Sequence, residues 1–147
     1  MKMPKAPPSC IFCCVETLAK RNRVLFEDAL VIGMVDGHPR ATRHLLVIAK
    51  EHIPFARDLK PHHADLVAHM LDVGNRLLES EGLPSTSGRQ FGFHMPPFAS
   101  IHHLHMHCLG LPFVPAWNRF RYTESFLGSY VDAERLLQSL KCPPSQP

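Results

Sequence analysis

The stretch "SIHHLHMHCLG", residues 100–110, places four histidines within six positions and separates the last three by single apolar residues, Leu104 and Met106. Successive side chains of a strand point to opposite faces, whereas residues two apart on a helix point in nearly opposite directions. A strand therefore gathers His103, His105 and His107 on one face and turns Leu104, Met106 and Cys108 toward a core. At the usual strand rise the row of imidazoles spans about 13 Å. Metal-sequestering histidine tracts and purification tags are usually terminal and poor in apolar residues. This stretch is internal and patterned, so it reads as a half-buried strand with a polar working face.

Composition sets the frame around that strand. A chain of 147 residues fits one domain and buries roughly 70% of its unfolded surface, enough to fold without staples. With 45% hydrophobic and 20% charged residues it reads as soluble and globular, and no stretch reaches the length that spans a bilayer. The start, "MKMPKAPPSC", lacks the apolar segment of a secretory signal, which gives an expectation of a cytoplasmic or nuclear protein. Five cysteines, an odd number, argue against a complete disulfide framework and for thiols or a metal site in a reducing compartment. A net charge of +3 suits anionic substrates such as nucleotides, but is too small and dispersed for a dedicated nucleic-acid surface.

Along the chain, residues 1–9 carry three prolines and read as a disordered arm. A short helix is expected from Ile11 to Lys20. Strands are expected at Val24 to Phe26 and Leu30 to Val35, joined as a hairpin, and at His44 to Ala49. A long helix opens at Pro61 and buries Leu66, Val67, Met70, Val73, Leu77 and Leu78 before Gly82 ends it. After a loop at residues 84–88, strand patterning returns at Gln90 to Met95, breaks at Pro96-Pro97 and resumes in the histidine strand. A final helix is expected from Tyr130 to Leu140, and residues 142–147 read as a tail. The expected fold is α+β: a mainly antiparallel sheet of about five strands, one long inserted helix and a C-terminal helix, spanning residues 10–141.

A neutral imidazole is a good nucleophile toward phosphorus when its second ring nitrogen is held by a hydrogen-bond acceptor. Neighbouring imidazoles can bind phosphate oxygens and meet the charge that develops on them. Such a face suits phosphoryl or nucleotidyl transfer. Long side chains on one strand face can also converge on a metal, and spacing alone leaves both readings open.

The segment His103-Leu104-His105-Met106-His107-Cys108-Leu109 resembles the motif of the histidine triad superfamily. "CIFC" near the start, "RHLLVIAKEHI" in the middle and Ser100 before the triad follow the order of its Hint branch, the nucleoside phosphoramidases. "FGFHMPPFASIHHLHMH" and "WNRFRYTESFL" resemble the third type of Hint protein and, more distantly, aprataxin. The resemblance implies that His105 is the nucleophile, that His107 and His44 flank the α-phosphate, and that Ser100 hydrogen-bonds the leaving group. It places Asp36 on the ribose hydroxyls, and Ile11, Phe12, Val15 and Met34 around a purine base, and counts His103 among the nucleotide-binding residues. No metal is required for the implied chemistry, which proceeds through a covalent nucleotidyl-histidine formed from an AMP-amine phosphoramidate or an acyl-adenylate.

The same resemblance offers Cys10, Cys13, His52 and His103 as a structural zinc site, with buried free thiols as the plain alternative. It implies a homodimer joined through sheet edges, a purine nucleotide substrate and no membrane partner. The glycine-rich stretch of familiar Hint proteins is replaced here by His94-Met95-Pro96-Pro97-Phe98, which bears on how the leaving group is held. Trp117 is either a pocket or a packing residue. Three other functions stand beside the phosphoramidase reading: an aprataxin-like DNA-adenylate hydrolase, a dinucleoside polyphosphate hydrolase whose flanking motifs match less well, and a non-catalytic nucleotide-binding scaffold.

Overall fold

The computed structural model describes residues 10–84, 86, 88–96, 98–125 and 128–143. The expected arm at residues 1–9 and most of the expected tail lie outside them. Helix α1 (Val15–Arg21) leads to strands β1 (Val24–Glu27), β2 (Val31–Val35) and β3 (Ala41–Ala49). Helix α2 (Ala64–Ser80) follows, then β4 (Arg89–His94), β5 (His105–Phe113), a 3-10 segment (Ala116–Tyr122), β6 (Tyr130–Asp132) and helix α3 (Ala133–Lys141). The strands form one six-stranded sheet in the order β1-β2-β3-β5-β4-β6. Every pairing is antiparallel.

Strand alternation divides the sheet cleanly. Val31, Leu45, Val47, Phe91, Phe93, Met106 and Cys108 face the helical layer and share its core with Val67, Met70, Val73, Leu77 and Leu78 of α2. The other face carries Ile32, Met34, Leu46 and Ile48, and is covered at one end by Phe12 and Leu18. Register extends that second face into the histidines, because Leu46 opposes His107 and Ile48 opposes His105. The apolar partners of the triad therefore fix which way it points: Leu104, Met106 and Cys108 are almost completely buried in the helical layer. Shifting β5 by one residue would exchange imidazoles for these three side chains, at the cost of burying charge-capable rings in the core.

Several boundaries differ from the sequence expectation: β3 begins at Ala41, not His44, and Pro61–His63 form a 3-10 turn ahead of α2. The sheet has a sixth strand, since Tyr130–Asp132 pairs with Gly92, Phe93 and His94 instead of opening a helix. Asp132 then caps α3 by accepting from Arg135 N–H at 3.0 Å, so the helix starts at Ala133. Helix α1 starts at Val15 and not Ile11, because Cys13 N–H bonds back to Cys10 C=O in a turn at 3.2 Å. His103 precedes β5, where Leu104 N–H donates to Ile53 C=O at 2.7 Å. Only His105 and His107 thus sit on the strand itself. Among the described residues no helix is long and apolar enough to cross a membrane.

Candidate active site

Two imidazoles present opposite hydrogen-bonding atoms to one cavity. His105 Nδ1 lies 2.7 Å from the carbonyl oxygen of His103. That oxygen only accepts, so the ring proton resides on Nδ1 and Nε2 keeps a bare lone pair. His107 is set by a longer relay. Arg40 backbone N–H donates to His44 Nδ1 at 3.0 Å, which puts the His44 proton on Nε2. That Nε2 stands 2.9 Å from His107 Nδ1 and 3.3 Å from Asp36 Oδ2. His107 Nδ1 accepts, so its own proton is on Nε2, a buried atom without a partner among the described residues.

Burial keeps these rings neutral. It pushes His44 down to about 4 against the opposing pull of the Asp36 carboxylate, and His107 well below the ordinary imidazole value, assisted by the neighbouring His105. His105 is lowered for the same reason, although its bond to the His103 carbonyl works the other way. At neutral pH the site therefore holds one nucleophilic nitrogen and one neutral N–H donor.

The cavity in front of them has a volume of about 330 Å³. Ile11, Phe12, Leu18, Met34 and Leu46 line an apolar end, with the Phe12 ring edge-on to His105 at 5.1 Å between centroids. Asp36 and Gly37 follow, then His105 and His107, and finally His94, Phe98, Ser100, Arg121 and Tyr122. Asp36 Oδ1 already accepts from His38 N–H at 2.8 Å. Three expected residues lie elsewhere. Val15 packs behind Phe12 and Leu18 and does not line the cavity. His44 is buried beneath His107 and acts on the cavity only through it. His103 turns away, its Nε2–H donating to Ala49 C=O at 2.5 Å. Trp117 neither lines the cavity nor packs, being 60% exposed.

His103 faces a second cluster instead. Its Nδ1 stands 3.4 Å from Cys10 Sγ, 3.4 Å from Cys13 Sγ and 3.0 Å from His52 Nδ1, and Cys13 Sγ is 3.2 Å from His52 Nδ1. All four ligand atoms fall within 4.8 Å of one another. Tetrahedral zinc with Zn–S of about 2.3 Å and Zn–N of about 2.0 Å sets its ligand atoms roughly 3.3–3.8 Å apart. The donor set fits that geometry, and the bond from His103 Nε2–H to Ala49 leaves Nδ1 free to ligate.

The profile of the family described as "Scavenger mRNA decapping enzyme C-term binding" matches residues 9–122. The chain belongs to the histidine triad superfamily. It is 44% identical over 136 residues to the Arabidopsis thaliana protein named bifunctional adenosine 5'-phosphosulfate phosphorylase/adenylylsulfatase HINT4, covering 90% of this chain and 92% of the relative. It is 34% identical over 102 residues to adenosine 5'-monophosphoramidase HINT3 of Xenopus tropicalis, covering 69% and 67%. Among solved structures, the HIT family hydrolase of Legionella pneumophila superposes with a TM-score of 0.64 at 30% identity, covering 71% of this chain and 94% of that one.

Three further groups of this histidine triad protein, His94, Arg121 and Tyr122, stood in the sequence only inside longer quoted stretches, with no role of their own. His94 shares the face of His107, with ring centroids 4.6 Å apart, and Tyr122 closes over both. Register places His94 there: Gly92 opposes His107, so Gln90, Gly92 and His94 share the sheet face of His107, and His94 lines the cavity. Arg121 and Tyr122 end the 3-10 segment, and no local pattern ties them to the triad. Asp36, His44 and His107 also come within metal-binding reach of one another. The Arg40 amide argues against a metal there, because it keeps the His44 proton on the nitrogen that would have to ligate.

Proposed function

We propose that the chain binds a purine nucleoside 5'-monophosphate unit and hydrolyses the bond joining its α-phosphorus to an amine or acyl group, as an adenosine 5'-monophosphoramidase or acyl-adenylate hydrolase. The observation that carries this reading is the opposed tautomer pair: the bare Nε2 of His105 beside the unpartnered Nε2–H of His107 in one cavity. His105 Nε2 bonds to the α-phosphorus while the bond to the leaving group breaks, its electron pair going with the leaving group. Water then attacks phosphorus, the His105–phosphorus bond breaks and AMP departs. His107 Nε2–H donates to the phosphoryl oxygen that gains charge. Ser100 serves the leaving group, Asp36 the ribose hydroxyls, and Ile11, Phe12 and Met34 the base.

The names of the two relatives, a monophosphoramidase and a phosphorylase/adenylylsulfatase, support chemistry at the α-phosphorus of an adenylate. Bound at Cys10, Cys13, His52 and His103, zinc would supply a structural clip and no step of the reaction. The reading includes a homodimer in the cytoplasm or nucleus. Five cysteines without a disulfide among the described residues suit a reducing compartment, and the sheet edges open to pairing are β1 and β6. Light scattering after gel filtration would give 16.6 kDa for a monomer, or twice that for a dimer. The decisive assay is AMP release from adenosine 5'-phosphoramidate with a chelator present. Wild type turns over and His105→Asn loses at least about a thousandfold; an active His105→Asn protein rejects the mechanism.

A further inference from the structure

Residues 10–13, Cys-Ile-Phe-Cys, close on themselves in a turn, with Cys13 N–H donating to Cys10 C=O at 3.2 Å. A turn closed in this way keeps its first and fourth Cα atoms less than about 7 Å apart. Two cysteines bridge without backbone movement when that separation is about 4.4–6.8 Å. Both sulfurs already converge on one atom, each 3.4 Å from His103 Nδ1. Neither residue is fully buried, so a small oxidant reaches the pair. Cys14, the third thiol of the run, stands apart from it, with Sγ 3.0 Å from Thr17 Oγ1.

The residues that the pair encloses give a bridge its consequence. Ile11 and Phe12 both line the apolar end of the cavity. Phe12 shares a buried cluster with Ile32, Met34, Leu46 and Ile48, and its ring stands edge-on to His103 and His105. The polar side of the same turn is tied to the sheet through His52, which follows β3, and His103, which precedes β5. Both ties run through the two sulfurs. A sulfur ligates a metal as a thiolate, so a disulfide would withdraw two of the four ligands at once.

We propose that Cys10 and Cys13 form a reversible dithiol sensitive to hydroperoxides, whose disulfide releases zinc from the cluster and loosens the base end of the cavity. For its effect on nucleotide binding the inference rests on the proposed hydrolase reading; the oxidation itself does not. One sulfur bonds to a peroxide oxygen, the O–O bond breaks, and a sulfenic acid and water form. The second sulfur bonds to the sulfenic sulfur, the S–O bond breaks, and a second water departs. Two thiols and one hydrogen peroxide thus become one disulfide and two waters, with both sulfurs oxidised and both peroxide oxygens reduced. The thiol protons end on the waters, and solvent supplies them where zinc holds the pair as thiolates. A dithiol reductant reverses the change by exchange.

The test uses the zinc-loaded Cys14→Ser/Cys142→Ser protein, which lacks the two exposed thiols and keeps the pair and buried Cys108. Limited hydrogen peroxide is added, and free thiols, zinc released to a metallochromic dye and the calorimetric Kd for AMP are followed. Two thiols should disappear for each zinc released, and the tryptic peptide of residues 6–20 should lose the mass of two hydrogens. The Kd for AMP should rise about tenfold, because the site must then be ordered by its ligand. Dithiothreitol with added zinc should restore every value. In a protein that also carries Cys10→Ser and Cys13→Ser, peroxide should leave AMP affinity unchanged. Thiols that survive, zinc that leaves without a disulfide, a loss that dithiothreitol does not reverse, or a Kd within twofold of the reduced value overturns the switch. Reduced, zinc-loaded protein that binds no AMP brings down the nucleotide reading instead, and thiol and zinc counts still decide the oxidation.

Discussion

Arg40 serves the triad through its backbone, since the amide hydrogen that it gives His44 Nδ1 decides where two further protons sit. His44 is the link on which that order depends. In a His44→Phe protein the buried ring volume is nearly kept, but His107 Nδ1 loses its donor and its proton is free to move there. A lone pair would then face the phosphoryl oxygens in place of an N–H. Loss of one such donor typically lowers kcat by 10²- to 10³-fold, and about a hundredfold is expected here, with KM for the phosphoramidate changing far less. Steady-state AMP release measures both constants. A loss below threefold in a protein that still melts cooperatively would remove His44 from the relay.

Strand β4 shows how an element positions the site by what it lacks. A methyl group at Gly92 would collide with the hydroxyl and ring of Tyr130. The bare backbone lets the Tyr130 ring lie across the sheet, where its hydroxyl accepts from Gln90 at 3.1 Å. Gly92→Ala should destabilise by about 1–3 kcal/mol, the usual range for overpacking, read from the urea midpoint at constant m; an unchanged midpoint would show that Tyr130 moves aside freely. Element type was legible where one sequence signal stood alone, as in the helical period of α2, the continuous apolar run of β3 and the histidine-apolar alternation that opens β5. It failed at Tyr130–Asp132, where Tyr130, Val131 and Leu136 suit a helix face as well as a strand followed by a cap. The pairing of β6 with β4, more than thirty residues away, settles that choice, and no local pattern encodes it. His103 was misplaced for a related reason: its alternation continues the strand, while the Leu104 amide hydrogen goes to Ile53, beyond the end of β3, and regular pairing starts at His105.

Across the whole molecule, the thiol-imidazole cluster joins three distant segments: the turn before α1, the chain after β3 and the bend before β5. By holding the Cys10–Cys13 turn it also holds Phe12 against His105. Cys13→Ser should abolish stoichiometric zinc, lower the melting temperature by roughly 5 °C or more and raise KM for the nucleotide; metal analysis showing no zinc in wild type would refute the clip. The four ligands were legible through resemblance, whereas their convergence depends on long-range packing. A second global property follows from the neutral rings. His44 and His94 are held at about 4 by burial, against about 6.5 for imidazole in an unfolded chain. Between those values the unfolded chain binds more protons than the native one, so stability is full above about pH 6.5 and is lost as pH falls toward 4. Each ring accounts for about 3 kcal/mol at the acid end of that window. The two rings are neighbours around His107, so their contributions need not add. Carboxylates contribute only at still lower pH, where they begin to protonate. Urea unfolding should therefore show stability falling by about 2–4 kcal/mol between pH 7.5 and pH 5, with a shallower fall in His44→Phe, which has one fewer ring to charge. Equal stability at the two pH values would mean that these imidazoles are hydrated in solution, and the tautomer relay would lose its basis with them.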